Sequence, residues 1–119
     1  MATPEGIGFL EAVVIDVSDL DRGVAFWAAM LGCEFGPSFE PTFRRATSAS
    51  GLALVLQKAG EAKTGKNRVH LDIEVLDLDT ALRQVQECGG SFVTRVDNQP
   101  GAHVVCADPD GNEFCLTLA

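Results

Sequence analysis

Ala12-Val-Val-Ile-Asp-Val-Ser-Asp-Leu-Asp21 returns 58 positions later as His70-Leu-Asp-Ile-Glu-Val-Leu-Asp-Leu-Asp79. Ile15, Val17, Asp19, Leu20 and Asp21 recur as Ile73, Val75, Asp77, Leu78 and Asp79, and Gly32 recurs as Gly90. An offset of about half the chain means two copies of one supersecondary unit. The local pattern says which unit. Val13, Ile15 and Val17 alternate with Ala12, Val14 and Asp16, the period of a strand. Asp19 follows at an N-cap position, and Leu20, Val24, Trp27, Ala28 and Leu31 then recur at helical spacing up to Gly32. Strand-like stretches come next at about Cys33–Ser38, Thr42–Ser48 and Leu52–Lys58.

The polar segment Gly60–Asn67 links the halves. In the second copy Val69, Leu71, Ile73 and Val75 alternate with His70, Asp72 and Glu74. Asp77 caps a helix whose apolar face is Leu78, Ala81, Leu82 and Val85, stopped by Gly89-Gly90. Strands are predicted at about Ser91–Val96, Ala102–Ala107 and Glu113–Leu118, the last two joined by the turn Asp108-Pro-Asp-Gly-Asn112. The reading is one α+β domain over residues 1–119, with tandem βαβββ modules at about 7–59 and 68–119 and both helices outside the sheets.

Composition narrows the function. The 119 residues carry a formal net charge of −8, which argues against a nucleic-acid partner and suits a cationic ligand. No apolar run approaches the ~20 residues of a membrane helix. The N-terminal residues show no signal-like segment, so a cytoplasmic location is expected. Cys33, Cys88, Cys106 and Cys115 have no C-x-x-C spacing and are expected to be reduced packing residues. The first helix carries Phe26 and Met30 beyond its core stripe; they are either a crowded core or a subunit contact.

Tandem βαβββ units, the Ser18-Asp-Leu-Asp21 turn, the Ala25-Phe-Trp helix ending in Leu31-Gly32, and Asp108-Pro-Asp-Gly-Asn-Glu-Phe-Cys-Leu116 together resemble the vicinal oxygen chelate superfamily. This is the glyoxalase, bleomycin-resistance and dioxygenase group, and the small glyoxalase-like domains are most similar. The resemblance implies a cup between two sheets, a homodimer that in some members exchanges modules, and a divalent metal held from the first and last strands. At those positions this chain has Ala12, Val55, His70 and Cys115. Ala12 and Val55 cannot ligate, and a catalytic ion normally takes three protein ligands. No cofactor is therefore expected; His70 and Cys115 are the pair available if a divalent ion does bind.

Strand parity gives the cup lining independently. Opposite the helix-facing residues lie Ala12, Val14 and Asp16; Ala53, Val55 and Gln57; His70, Asp72 and Glu74; Glu113, Cys115 and Thr117. Asp16, Gln57, His70, Asp72, Glu74, Glu113 and Cys115, with Phe43 as a stacking aromatic, are the candidate ligand-binding residues. His103 shares the parity if its register holds. The expected function is binding of a small organic ligand, a basic antibiotic being one such, without a metal. The alternative is a metal-dependent lyase, isomerase or dioxygenase of the same superfamily. A third reading is a partner-binding domain that uses Phe26 and Met30.

Overall fold

The structure, a computed structural model, describes residues 6–8, 10–37, 42–60, 64, 65, 67, 69–98 and 101–118. The first half contains β1 (Ala12–Val17), α1 (Leu20–Leu31), β2 (Phe43–Thr47) and β3 (Ala53–Lys58). The second contains β4 (Leu71–Val75), α2 (Leu78–Glu87), β5 (Ser91–Asn98), β6 (Gly101–Ala107) and β7 (Glu113–Leu118). Two mixed sheets result, ordered β1-β3-β2 and β4-β7-β6-β5, with a parallel first pair in each and antiparallel neighbours beyond.

The caps fall where the repeat puts them. Asp19 Oδ1 accepts from the Arg22 amide at 3.0 Å, and Asp77 Oδ1 accepts from the Thr80 amide at 2.8 Å. Each carboxylate satisfies an amide that the first helical turn leaves without a partner. α1 ends at Gly32, whose φ of 60° is the left-handed conformation that a side chain disfavours.

One expected strand is missing. Residues 33–37 are not strand, and Ser38 lies outside the described residues, as does Phe39. Gly36 still forms one rung against β2: its amide donates to the Arg45 carbonyl at 2.9 Å, and its carbonyl accepts from Arg44 Nε at 2.7 Å. Pro37 has no amide hydrogen to continue the ladder, and Gly36 has no side chain to pack on it. The counterpart in the second half, β5, has eight residues and no proline.

The core lies between helices and sheets. Ile15, Val17, Leu54, Leu56, Phe114 and Leu116 are all buried, as their parity requires. At its centre Phe26, Trp27 and Phe114 meet with ring centroids 5.2–6.0 Å apart. The subunit-contact reading of Phe26 is therefore corrected: Phe26 is 1% exposed, and Met30 is half-buried against the same core. α1 packs on β2 and β3 and also reaches Phe114 of the other sheet, so it needs apolar residues over a wider arc than α2.

The Asp108–Asn112 turn fastens one half to the other. Asp108 is buried and accepts from the amides of Asp110 and Asn112, from Asn112 Nδ2 and from Trp27 Nε1. Asp110 Oδ1 accepts from the Ser18 amide and from Arg22, and Asn112 Nδ2 also donates to the Asp16 carbonyl. The motif that carries the family resemblance thus spends its polar atoms on holding the two halves together.

Candidate functional site

Register fixes which residues share the sheet faces away from the helices, because cross-strand partners point to the same side. On the first sheet, Asp16, Gln57 and Phe43 form one row, Val14, Val55 and Arg45 the next, and Ala12, Ala53 and Thr47 the third. On the second sheet, Asp72, Cys115 and Val105 form one row, and Glu74, Thr117 and His103 another. His70 precedes β4 by one residue, and Glu113 precedes Phe114, the partner of Leu71, by one.

By register the strand candidates share the faces away from the helices, but they are divided between two sheets. Asp16, Gln57 and Phe43 are brought together on one. Asp72, Glu74, Glu113 and Cys115 are brought together on the other, with His70 one residue before β4. His103, whose register the sequence left open, joins the row of Glu74 and is half-buried. Arg45 enters the face too, 3.6 Å from Glu11 in an exposed ion pair.

The cavities divide them further. Asp16 and Glu113 line one of about 270 Å³, with Asn67 and Asn112. Asp72 and Glu74 line another of about 320 Å³, and Glu74 reaches a third of about 340 Å³. His70, Gln57, Phe43 and Cys115 line none of these three.

Local bonding constrains the chemistry. His70 Nε2 is 3.1 Å from the carbonyl oxygen of Asn67, which can only accept, so Nε2 carries a proton. Asn67 Nδ2 in turn donates to the Glu113 carbonyl at 3.2 Å. Sequence reasoning missed Asn67, and no signal marks it: it is one polar residue in a polar linker. Cys115 is 7% exposed. On the helix side, burial pushes the Cys106 thiol up to about 11, with the neighbouring Cys115 adding to the shift.

These donors do not fit a divalent ion at the family's position. Ala12 and Val55 offer no donor atom, and His70 Nε2 is engaged. No group of three His, Cys, Asp or Glu side chains that could hold a metal occurs among the described residues. The carboxylates of Asp16, Asp72, Glu74 and Glu113 and the imidazoles of His70 and His103 can instead make charge-assisted hydrogen bonds to a polar ligand.

The comparisons with known proteins agree with this architecture. The model of the glyoxalase-like domain matches residues 12–117. No match was found among curated proteins. Among solved structures, the fosfomycin resistance protein FosX of Listeria monocytogenes aligns with a TM-score of 0.80 at 18% identity, covering 96% of this chain and 93% of that one. A glyoxalase/bleomycin resistance protein/dioxygenase family enzyme from Burkholderia phytofirmans aligns at 0.77 and 17% identity, covering 93% and 98%. A glyoxalase/bleomycin resistance protein from Albidiferax ferrireducens aligns at 0.68 and 20% identity, covering 92% and 98%. At such identities the likeness is one of fold. With nearly the whole chain matched by the family model, this protein belongs to the glyoxalase-like domain family.

Proposed function

We propose that this chain is a binding protein that holds a small basic organic molecule, such as a basic antibiotic, on the sheet faces away from the helices, without a metal ion. The observation that carries the reading is the donor set: Ala12 and Val55 stand at two of the family's metal positions, and His70 Nε2 is turned to the Asn67 carbonyl. The ligand sites are Asp16, Gln57 and Phe43 on one sheet and His70, Asp72, Glu74, Glu113 and Cys115 on the other. Four carboxylates among these favour a cation.

Exposed Val14 and Val69, both beside the cavity that holds Asp16 and Glu113, support a homodimer that closes the cup. A reducing, cytoplasmic setting suits the four thiols. No helix among the described residues is long and apolar enough to cross a membrane.

The competing reading is a metal-dependent lyase, isomerase or dioxygenase. A FosX structure from Listeria monocytogenes that holds manganese(II) and a dihydroxypropylphosphonic acid gives it a precedent within the fold. Metal content separates the two. Untagged protein is incubated with zinc, nickel, manganese and iron(II), desalted and analysed for elements. Little retained metal, with thermal stabilisation by cationic aromatic molecules that His70→Ala reduces, supports the binding protein. About one ion per chain would replace that reading with the enzyme.

A further inference from the structure

We propose that the seam between the two halves is a second binding site, on the helix side, for a small cationic amphiphile: an amine with a short alkyl or aryl chain. The inference starts from an asymmetry in the repeat. In β1, Ile15 and Val17 are buried, whereas their repeat mates in β4, Ile73 and Val75, are only partly buried, as is Leu71.

Two cavities open along these β4 side chains. One, of about 320 Å³, lies between β4 and the turn after β2, with Leu31 and Leu54 in its wall. The other, of about 340 Å³, lies between the helices, with Ala29 and Met30 on one side and Ala81 and Cys88 on the other. Both are lined by Ile73 and Glu74, so they adjoin. Each falls within the size range of small-molecule pockets.

Charge selects the occupant. Glu87 on α2 lines the second cavity, and no Lys, Arg or His is among the described residues lining either; Asp72 and Glu74 border the cavities too, but by register their side chains point to the opposite sheet face. An apolar floor of Ala29, Met30 and Ile73 beside the Glu87 carboxylate matches an apolar tail with an ammonium head.

The site is distinct from the sheet-face site, since His70, Gln57 and Phe43 line neither cavity. Asp72 and Glu74 belong to the sheet-face site, so the test uses helix residues. The chain has two methionines, Met1 and Met30, and ¹³C-methyl labelling gives a reporter inside the seam. Labelled protein is titrated with n-octylamine and, separately, with octanoate, which has the same chain length and opposite charge.

Octylamine is expected to move the Met30 methyl signal saturably, with affinity about tenfold above octanoate, one charge-assisted contact's worth. Ala29→Trp, filling the mouth from an exposed position, abolishes the shift. Glu87→Lys, also at an exposed position, weakens it about tenfold. His70→Ala leaves it unchanged, and so separates this site from the sheet face. Equal response to octanoate, or indifference to Glu87→Lys, overturns the proposal. So does a Met30 signal that moves on dilution of the protein while octylamine does nothing, which assigns the seam to a second copy.

Discussion

Asp108 is the one buried charged residue among the described residues, and it is held by donors alone. Asp108→Asn keeps the size but turns one oxygen into an amine facing N–H groups. It is expected to lower stability by about 2–4 kcal/mol in urea unfolding. A cost under about 0.5 kcal/mol would mean the network holds nothing. The two repeat-related glycines make a second test, because they are glycine for different reasons. Gly32 has a positive φ and open space around it, so Gly32→Ala is expected to cost about 1 kcal/mol in backbone strain. At Gly90 a Cβ would stand 2.8 Å from the Ala107 carbonyl oxygen and 2.6 Å from Val85 Cγ1. Backbone cannot move aside cheaply, so Gly90→Ala is expected to cost about 1–3 kcal/mol, and more than Gly32→Ala. Cys106 gives a pH signature. Its folded pKa of about 11 lies above the ordinary thiol range, so the unfolded chain loses this proton first as pH rises. The stability it contributes is whole below that range and is lost as pH climbs toward 11. Cys106→Val should flatten this alkaline decline in urea midpoints measured across that range; an unchanged slope would remove Cys106 as its source.

At the scale of elements, the caps set a complementary acid-side signature. The Thr80 amide holds the Asp77 carboxyl below its usual range. A depressed carboxyl stabilises the fold above its unfolded pKa, and the contribution is lost as pH falls through the lower folded value. Asp77→Asn should therefore flatten part of the acid limb of the stability profile, and helix content on acid titration reads it. The same caps explain why the elements were legible in the sequence. Asp19, Asp77 and Gly32 each mark a boundary through an interaction that spans only a few residues, so no distant partner is needed to interpret them. Period-two burial likewise needs only to know which face the helix covers. The expected strand at Cys33–Ser38 failed where a local rule was underweighted: Gly36-Pro37 cannot extend a ladder, whatever the repeat suggests. Phe26 stayed open between core and subunit contact for the opposite reason, since its burial involves Phe114, 88 positions on. Parity put the candidate site residues on one side of each sheet. It gave no distance between the sheets, and it gave no hint that Asn67 would take up His70 Nε2.

At the scale of the molecule, the two halves are not two independent folding units, although the sequence reads as a repeat. Each half is roughly 50–60 residues, a size at which a core is marginal by itself. The shared core then decides. Phe114 packs on Phe26 and Trp27 from the other half, and Asp108 loses its Trp27 donor if the halves part. Ser18, Arg22 and Asp16 lose Asp110 and Asn112 as well. Residues 68–119 alone would therefore expose Phe114 and keep a charged Asp108 short of a donor, and residues 1–67 would expose an aromatic pair. Each fragment is expected to be largely unfolded by circular dichroism and by amide dispersion. An equimolar mixture is expected to recover the helix signal and a single cooperative urea transition, because the fastening contacts and the aromatic cluster return together. A fragment 68–119 that folds alone, with dispersed amides and its own urea transition, would show that the cluster is an interface between finished modules. The seam over β4 would then be a gap between two bodies free to shift, and Met30 would report their relative motion.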